Sequence, residues 1–406
     1  MKKLVVMAMC IATGALVAQS NTSSVNQTGN LNNSEVTQAG ATNDSKVVSL
    51  GDSNSSILEQ NGTRNKSDVV QHGNLNTSDV ISLGRRNRSK VNQAGDSNDA
   101  DIDQNGMRNR SFARQGFVNS LGVISRVGND NEITVDQDGI DNTSLINQRS
   151  RTLGQESNDN DASVNQVGDN NESYIAQDGD FNIEDTDQLT NRNNSDVNQL
   201  GDSNESRVLQ ENGDDNVSAV FQIGDRNDSY VWQDGSDNIG NVEQTGNDNV
   251  SYTDQWGDDN ESEVIQTGND NVSQVLQWLG NDNQSEVIQT GNDNDSNVRQ
   301  RQNDNESIVL QTGNGNDSRV LQRESFNEST VIQTGNDNDS LAEQEGNDNI
   351  SSVVQLGEGH VSLVNQLGNG NNSIVEQRGL GQRVNAHVSD VNQIGNNNTS
   401  VVMQSN

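Results

Sequence analysis

The sequence predicts an all-β protein, a β-solenoid of about 17 two-strand coils in two stacked, parallel, in-register sheets. The first observation is an eleven-residue unit, N-x-S-x-V-x-Q-x-G-x-x, which recurs along most of the chain. The second is the absence of proline from all 406 residues, as continuous backbone ladders require. The third is a doubled period, because the tripeptide QTG recurs every 22 or 23 residues, beginning at Gln244, Gln266, Gln289, Gln311 and Gln333. The repeat is therefore a pair of eleven-residue arms.

Each arm has the pattern of one strand and one turn. Ser262, Val264 and Gln266 fall at alternate positions, so they share one face of a strand, and the residues between them share the other. The Gly-Asn-Asp-Asn that follows is typical of a tight turn, since Gly and Asn accept positive φ. Two arms close one coil of 22 residues.

The predicted core is thin, so its stability must come from stacking. Burying one Val per arm gains about 1.5–3 kcal/mol, whereas ordering each residue costs on the order of 1–2 kcal/mol. We therefore expect inward side chains to form ladders from coil to coil, with amide ladders as in cross-β structures. The predicted amide ladder comprises Gln244, Gln255, Gln266, Gln277, Gln289, Gln300, Gln311, Gln322, Gln333 and Gln344. The predicted core ladder comprises Val264, Val275, Val287, Val298, Val309, Val320 and Val331.

The chain divides into four predicted segments. Residues 1–18, with Lys2 and Lys3 before an apolar run, are typical of a secretory signal peptide, and the single cysteine, Cys10, lies inside it. We expect a solenoid block of about 6 coils at 19–148 and a loop insertion at 149–159. A second block of about 11 coils follows at 160–406, with a small insertion near 380–384.

The charge is strongly acidic. The chain has 24 basic and 60 acidic residues, so losing Lys2 and Lys3 leaves 22 against 60 and a net charge of −38. Such a charge excludes a nucleic-acid partner, because it repels phosphates. In-register stacking places Glu263 over Glu286, and the acidic turns are either solvated or weak sites for divalent cations. The early coils are less acidic because they contain Arg85, Arg86, Arg88, Lys90, Arg108, Arg110 and Arg114.

No catalytic, cofactor-binding or metal-binding motif stands out from the repeat, and we expect no enzyme activity. His360 and His387 occupy the Asn position of an arm, which indicates repeat substitutions. Trp232, Trp256 and Trp278 are expected at the surface or in turns rather than as a sugar platform. The sixth arm position is often apolar and would form one outer stripe, either a contact for lateral pairing or simple β-propensity. That stripe comprises Leu209, Phe221, Trp232, Ile265, Leu276, Ile288, Leu310, Leu321 and Ile332.

The repeat resembles that of the curlin family, the subunits of curli, which are bacterial extracellular amyloid fibres. The family pattern is S-x5-Q-x-G-x2-N-x-A-x3-Q, and the pair of arms at 260–282 supplies matching residues, with Asn for the leading Ser and Ser for the Ala. The resemblance implies secretion, fibre assembly at the cell surface, adhesion and a role in biofilm. It also implies a nucleator subunit and an outer-membrane secretion pore as partners. The matching residues are Gln266, Gly268, Asn271, Ser273 and Gln277.

Two functions follow from the pattern. An unprotected terminal strand is a template for another copy, which favours end-to-end polymerisation into a pilus-like fibril. The alternative is a monomeric secreted β-solenoid that acts as an adhesin or as a ligand- or ice-binding protein. Thioflavin-positive, seedable fibres distinguish the first function from the second.

Overall fold

A computed structural model of the chain describes residues 20–118, 124–150, 156–379 and 386–405. The predicted signal peptide, most of the insertion near 380–384 and residues 151–155 of the predicted loop insertion lie outside these residues. Every regular element of the described part is a β-strand. The chain forms two compact units, one up to Asn204 and one from Glu205 onwards.

The first unit has two parallel sheets, named here 1A and 1B. Sheet 1A contains β1, β3, β5, β7, β9, β13, β16 and β18, and sheet 1B contains β2, β4, β6, β8, β12, β15 and β17. The strands are β1 Thr22–Thr28, β2 Asn33–Ala41, β3 Asp44–Leu50, β4 Ser55–Thr63, β5 Lys66–His72, β6 Thr77–Arg85, β7 Arg88–Ala94, β8 Asp99–Met107, β9 Arg110–Gln115, β10 Phe117–Val118, β11 Ile124–Asn129, β12 Glu132–Ile140, β13 Thr143–Gln148, β14 Glu156–Asn158, β15 Asp161–Asp169, β16 Glu172–Asp178, β17 Ile183–Gln188 and β18 Asn194–Leu200.

The second unit also has two parallel sheets, with the even-numbered strands in sheet 2A and the odd-numbered strands in sheet 2B. Its strands are β19 Glu205–Glu211, β20 Val217–Ile223, β21 Asp228–Asp234, β22 Ile239–Thr245, β23 Val250–Trp256, β24 Glu261–Thr267, β25 Val272–Trp278, β26 Gln284–Thr290, β27 Asp295–Arg301, β28 Glu306–Thr312, β29 Asp317–Arg323, β30 Glu328–Thr334, β31 Asp339–Glu345, β32 Ile350–Leu356, β33 Val361–Leu367, β34 Asn372–Arg378, β35 Val388–Ile394 and β36 Thr399–Ser405.

Apart from β10, β11 and β14, successive strands alternate between the two sheets, which makes each unit a β-solenoid and confirms the predicted fold class. In the second unit each strand pairs in register with the strand two places along, so that Val264 of β24 lies beside Val287 of β26. In β24, Ser262, Val264 and Gln266 are buried, while Glu261 and Glu263 are exposed. The predicted division into inward and outward positions is therefore correct for this arm.

The turns need the residues that the repeat supplies. Gly268 has φ of 123°, and Asp270 has φ of 56°. A Cβ built on Gly268 would lie 1.8 Å from the carbonyl oxygen of Gly291 in the next coil. The coils therefore approach too closely at this position for any side chain, which explains the repeated glycine.

One arm of the first unit, which contains β11, lies outside both main sheets. Asp99 of β8 pairs with Glu132 of β12, which is 33 residues away instead of 22. The intervening β11 pairs antiparallel with β10 and parallel with β14. The displaced arm has Ser125 at the glutamine position, as β3 has Ser49 and β6 has Ser82 within the main sheets. Past the displaced arm the amide ladder is continuous, because Gln104 Nε2 donates to Gln137 Oε1 at 2.9 Å. Part of the predicted loop insertion, residues 156–158, is strand β14.

Candidate functional site: the amide ladder and the outermost strands

Glutamine side chains run along the inside of both sheets of the second unit. Gln266 Nε2 donates to Gln289 Oε1 at 2.9 Å, and Gln289 Nε2 donates to Gln311 Oε1 at 2.9 Å. The same bond continues from Gln244 to Gln333 in sheet 2A. In sheet 2B it connects Gln255, Gln277, Gln300, Gln322 and Gln344 in sequence.

The same amide groups tie the two sheets together. Gln266 Nε2 also donates to the backbone oxygen of Val250 in β23, at 2.9 Å, and to that of Asn271 at 3.1 Å. The side-chain nitrogen thus bonds along its own sheet and across the core. Because the glutamine is fully buried, losing it leaves several polar groups without partners.

The valines form the apolar part of the core. Val264, Val287, Val309 and Val331 lie in register in sheet 2A, and Val275, Val298 and Val320 in sheet 2B. All seven are fully buried. The core of each coil is therefore one aliphatic pair between layers of amides and serines.

A second amide ladder, which the sequence reasoning missed, lies at the first position of each arm. Asn271 donates from its backbone nitrogen (3.2 Å) and from Nδ2 (3.0 Å) to Asn249 Oδ1. Asn271 Nδ2 also donates to the backbone oxygen of Gly291 at 2.8 Å. These bonds hold the backbone in place where the turn ends and the strand begins. The sequence signal for this ladder is the asparagine that precedes most of the strands.

His360 takes the place of asparagine in this ladder. Its backbone nitrogen donates to Asn338 Oδ1 at 3.1 Å, and its Nδ1 accepts from the backbone nitrogen of His387 at 3.0 Å. The two rings stack with centroids 5.1 Å apart. Desolvation lowers the pKa of His360, so the neutral ring that the ladder needs is favoured. These two histidines therefore serve as the repeat substitutions that the spacing predicted.

Many third-position serines make no hydrogen bond in the core, although Ser67 and Ser89 bond to each other. Ser262 and Ser285 lie in register, and both are buried. Neither Oγ has a hydrogen-bond partner among the described residues. Their small volume, rather than their hydroxyl group, explains why they fit beside the valines.

Glu184 is an exception at this serine position. Its carboxyl group is buried and accepts a hydrogen bond from the hydroxyl group of Thr186, while Oε2 has no partner among the described residues. Desolvation raises the pKa of Glu184 well above its usual value, and nearby Asp185, Asp187 and Asp161 raise it further. The protonated form is the one that this site favours.

The outer faces carry like charges in register and two incomplete apolar stripes. Glu263 lies beside Glu286 in sheet 2A, as expected. The predicted single stripe at the sixth position is wrong, because alternate arms lie in different sheets. Ile265, Ile288 and Leu310 are adjacent in sheet 2A. In sheet 2B, the corresponding column is interrupted by charged residues, including Asp254 and Arg299.

The three tryptophans lie on strands of sheet 2B. Trp256 and Trp278 are 38% and 39% exposed. The centroids of Trp232 and Trp256 are 5.6 Å apart with ring planes at 78°, and those of Trp256 and Trp278 are 6.2 Å apart at 36°. The rings therefore pack against one another at the surface instead of lying in one plane.

The outermost described strands expose side chains that are buried elsewhere. Among the described residues, β1 pairs with β3 alone and β36 pairs with β34 alone. Val402 of β36 is half-buried, whereas Val375, its partner in β34, is fully buried. Gln404 accepts from Gln377 Nε2 and is the last described glutamine of its ladder. Both outermost strands thus present an incomplete ladder.

Neither metal coordination nor a membrane helix is found in the part of the chain that the structure describes. There, no group of three or more His, Cys, Asp or Glu side chains is arranged to hold a metal ion. No helix in that part has the length and apolar character to span a bilayer.

Four stretches of the chain match the curlin associated repeat family, at residues 95–139, 158–183, 213–246 and 257–291. No curated protein matches the chain. The family matches confirm the resemblance inferred from the repeat pattern.

Proposed function

We propose that the chain is a structural subunit that polymerises end to end into extracellular, curli-like amyloid fibres. The supporting observation is the partial exposure, on β1 and β36, of inward positions that are buried in interior strands. Because inward Ser, Val and Gln recur in nearly every arm, the strand of a second copy offers the same ladder as the next coil of the same copy. Stacking a copy there buries these side chains and extends the amide ladder.

The cellular role follows from the curlin repeats. The family implies secretion, display as a cell-surface fibre, adhesion and a contribution to the biofilm matrix. A nucleator subunit and an outer-membrane secretion pore are the corresponding proposed partners. The buried ladders of glutamine and valine support the proposed structural role.

Polymerisation is tested by incubating the purified mature chain. We expect thioflavin-positive fibres that seed further growth and give a meridional reflection at about 4.7–4.8 Å. A chain that stays monomeric at high concentration would support the alternative of a solenoid adhesin.

Paired variants of β36 test the proposed growth surface. Val402→Lys with Gln404→Lys places charges at inward positions and should block growth from this strand. The control, Val401→Lys with Met403→Lys, adds the same charge at positions that are 54% and 71% exposed, and should elongate as the wild type does. Equal growth of the two double variants would contradict the proposed surface.

A further inference from the structure

Two patches of opposite charge, each on three neighbouring strands, lie on the outer faces of the first unit and are named here the cationic and the anionic face. On sheet 1A, strands β5, β7 and β9 place cationic side chains at outward positions. On sheet 1B, strands β6, β8 and β12 place carboxylates there. The cationic face comprises Lys66, Arg88, Lys90, Arg110 and Arg114, and it includes one carboxylate, Asp68, whose Oδ2 lies 3.9 Å from Lys66 Nζ. The anionic face comprises Asp79, Asp99, Asp101, Asp103, Glu132 and Asp136.

Both sets of charges repeat with the same period. On the cationic face, Arg88 lies between Lys66 and Arg110 in register. On the anionic face, Asp103 lies beside Asp136 in adjacent strands. Because both faces are built from parallel strands in register, their charges are spaced by about 4.8 Å along the stack. A cationic face can therefore meet an anionic face with several charges matched at once.

The anionic face lacks internal compensation. No salt bridge between described residues reaches its carboxylates. Asp79 Oδ1 is shielded from solvent and has no hydrogen-bond partner among the described residues. Desolvation and the neighbouring carboxylates, first Asp101 and then Asp136, raise the pKa of Asp103 to about 6. A cationic surface placed against this face would relieve these repulsions.

The cationic side chains are held in an ordered arrangement. Lys90 Nζ lies 5.1 Å from the centre of the Phe112 ring, and the guanidinium carbon of Arg114 lies 4.7 Å from it. Cations resting on an aromatic ring lose part of their freedom before any partner binds. The cationic face is thus partly preorganised for a carboxylate-rich surface.

We propose that the cationic face of one copy docks against the anionic face of a second copy. The two surfaces differ, so the contact is heterologous and leaves one face of each kind available for further copies. The metal alternative finds no support in the described residues, because none of these carboxylates belongs to a group arranged to hold an ion. The product is a lateral array.

The small area of the contact predicts that it is stable between fibres but weak between single copies. Three strands of about seven residues cover on the order of 300 Å², well below the roughly 800 Å² per partner of a stable complex. Single copies should therefore pair weakly. In a fibre the contact is repeated once per copy, so many weak contacts act together. Stable lateral pairing therefore rests on the proposed polymerisation.

Charge reversal on each face tests the pairing. One variant carries Asp99→Lys, Asp101→Lys and Asp103→Lys, and the other carries Arg88→Glu, Lys90→Glu and Arg110→Glu. At low ionic strength, electron microscopy should show bundles for the wild type and single filaments for either variant. Mixing the two variants should restore bundles, because the reversed faces complement each other. Unchanged bundling in either variant, or no bundling in the mixture, would overturn the proposal.

A matched control separates the face from the net charge. Asp270→Lys, Asp282→Lys and Asp293→Lys change the charge by the same six units at exposed turns, where the chain already has arginine at Arg86 and Arg226 with similar φ. This variant should still bundle. Seeded elongation rates should agree within about twofold among all variants. If no filaments form at all, polymerisation fails, and sedimentation of concentrated single copies decides the lateral proposal: wild type and mixture should associate, and the separate variants should not.

Discussion

Replacing one ladder glutamine with leucine should lower the free energy of local unfolding in the substituted coil and its two neighbours. Gln289 Nε2 bonds to Gln311 Oε1, to the Val272 carbonyl at 2.8 Å and to the Asn294 carbonyl at 3.1 Å. Gln289→Leu keeps the volume similar but removes these three bonds and the bond that Gln289 Oε1 accepts from Gln266 Nε2. Gln311 Oε1 is then buried without a donor, and this costs about 1–3 kcal/mol. The lost bonds add roughly 1 kcal/mol each, and the added apolar surface offsets part of this.

The expected net loss in the opening free energy is about 2–5 kcal/mol. Hydrogen–deuterium exchange of the full chain measures it locally, as exchange that is faster by roughly 30- to 4,000-fold in β24, β26 and β28. Gln284→Leu is the matched control, because Gln284 is an exposed glutamine in the same strand. Exchange in Gln289→Leu no faster than in this control would refute the assignment of stability to the ladder.

Three further predictions follow from the buried and surface charges and from the serine column. Seeded elongation should accelerate as salt rises from very low to seawater-like ionic strength, because salt screens the repulsion between acidic copies; an unchanged rate would contradict this. Glu184→Gln should stabilise the first unit at pH 7.5 but not at pH 4. The pKa of Glu184 is raised in the folded state, so the wild type loses up to about 1.4 kcal/mol of unfolding free energy per pH unit as the pH rises above the pKa of the unfolded state. Protection of β17 from hydrogen–deuterium exchange measures this change, and the exposed control Glu172→Gln should show no increase in protection. An equal increase at both pH values for Glu184→Gln would count against a buried carboxyl group. Ser262→Ala should leave the stability of β24 unchanged or raise it by up to about 2 kcal/mol, because it removes a buried hydroxyl without a partner, and destabilisation of similar size would show that the hydroxyl has a role.

The fold of each arm was predictable because its causes are local. The alternation of Ser262, Val264 and Gln266 fixes which face is buried, and the glycine and asparagine that follow fix the turn. The partners within each ladder could also be predicted from the sequence. In an in-register stack, a residue that recurs every two arms can only lie beside its equivalent in the next coil.

The sequence could not predict which arms stack on one another in the first unit. Because β11 lies outside the main sheets, Gln104 bonds to Gln137, a residue 33 positions away. That displacement determines which later arms join sheet 1A and which join sheet 1B. Of the strands that form the two charged faces only β12 follows the displaced arm, so Glu132 and Asp136 join the anionic face because of the displacement.

Mass per length tests the central claim most directly, namely that each 22-residue coil adds one layer to the fibre. The chain has a mass of 43.9 kDa for 406 residues, so one coil has a mass of about 2.4 kDa and occupies about 4.8 Å. Scanning transmission electron microscopy of single filaments should then give about 5 kDa per nm. A value near 90 kDa per nm, as expected if each layer of about 4.8 Å contained a whole chain, would contradict stacking by coils.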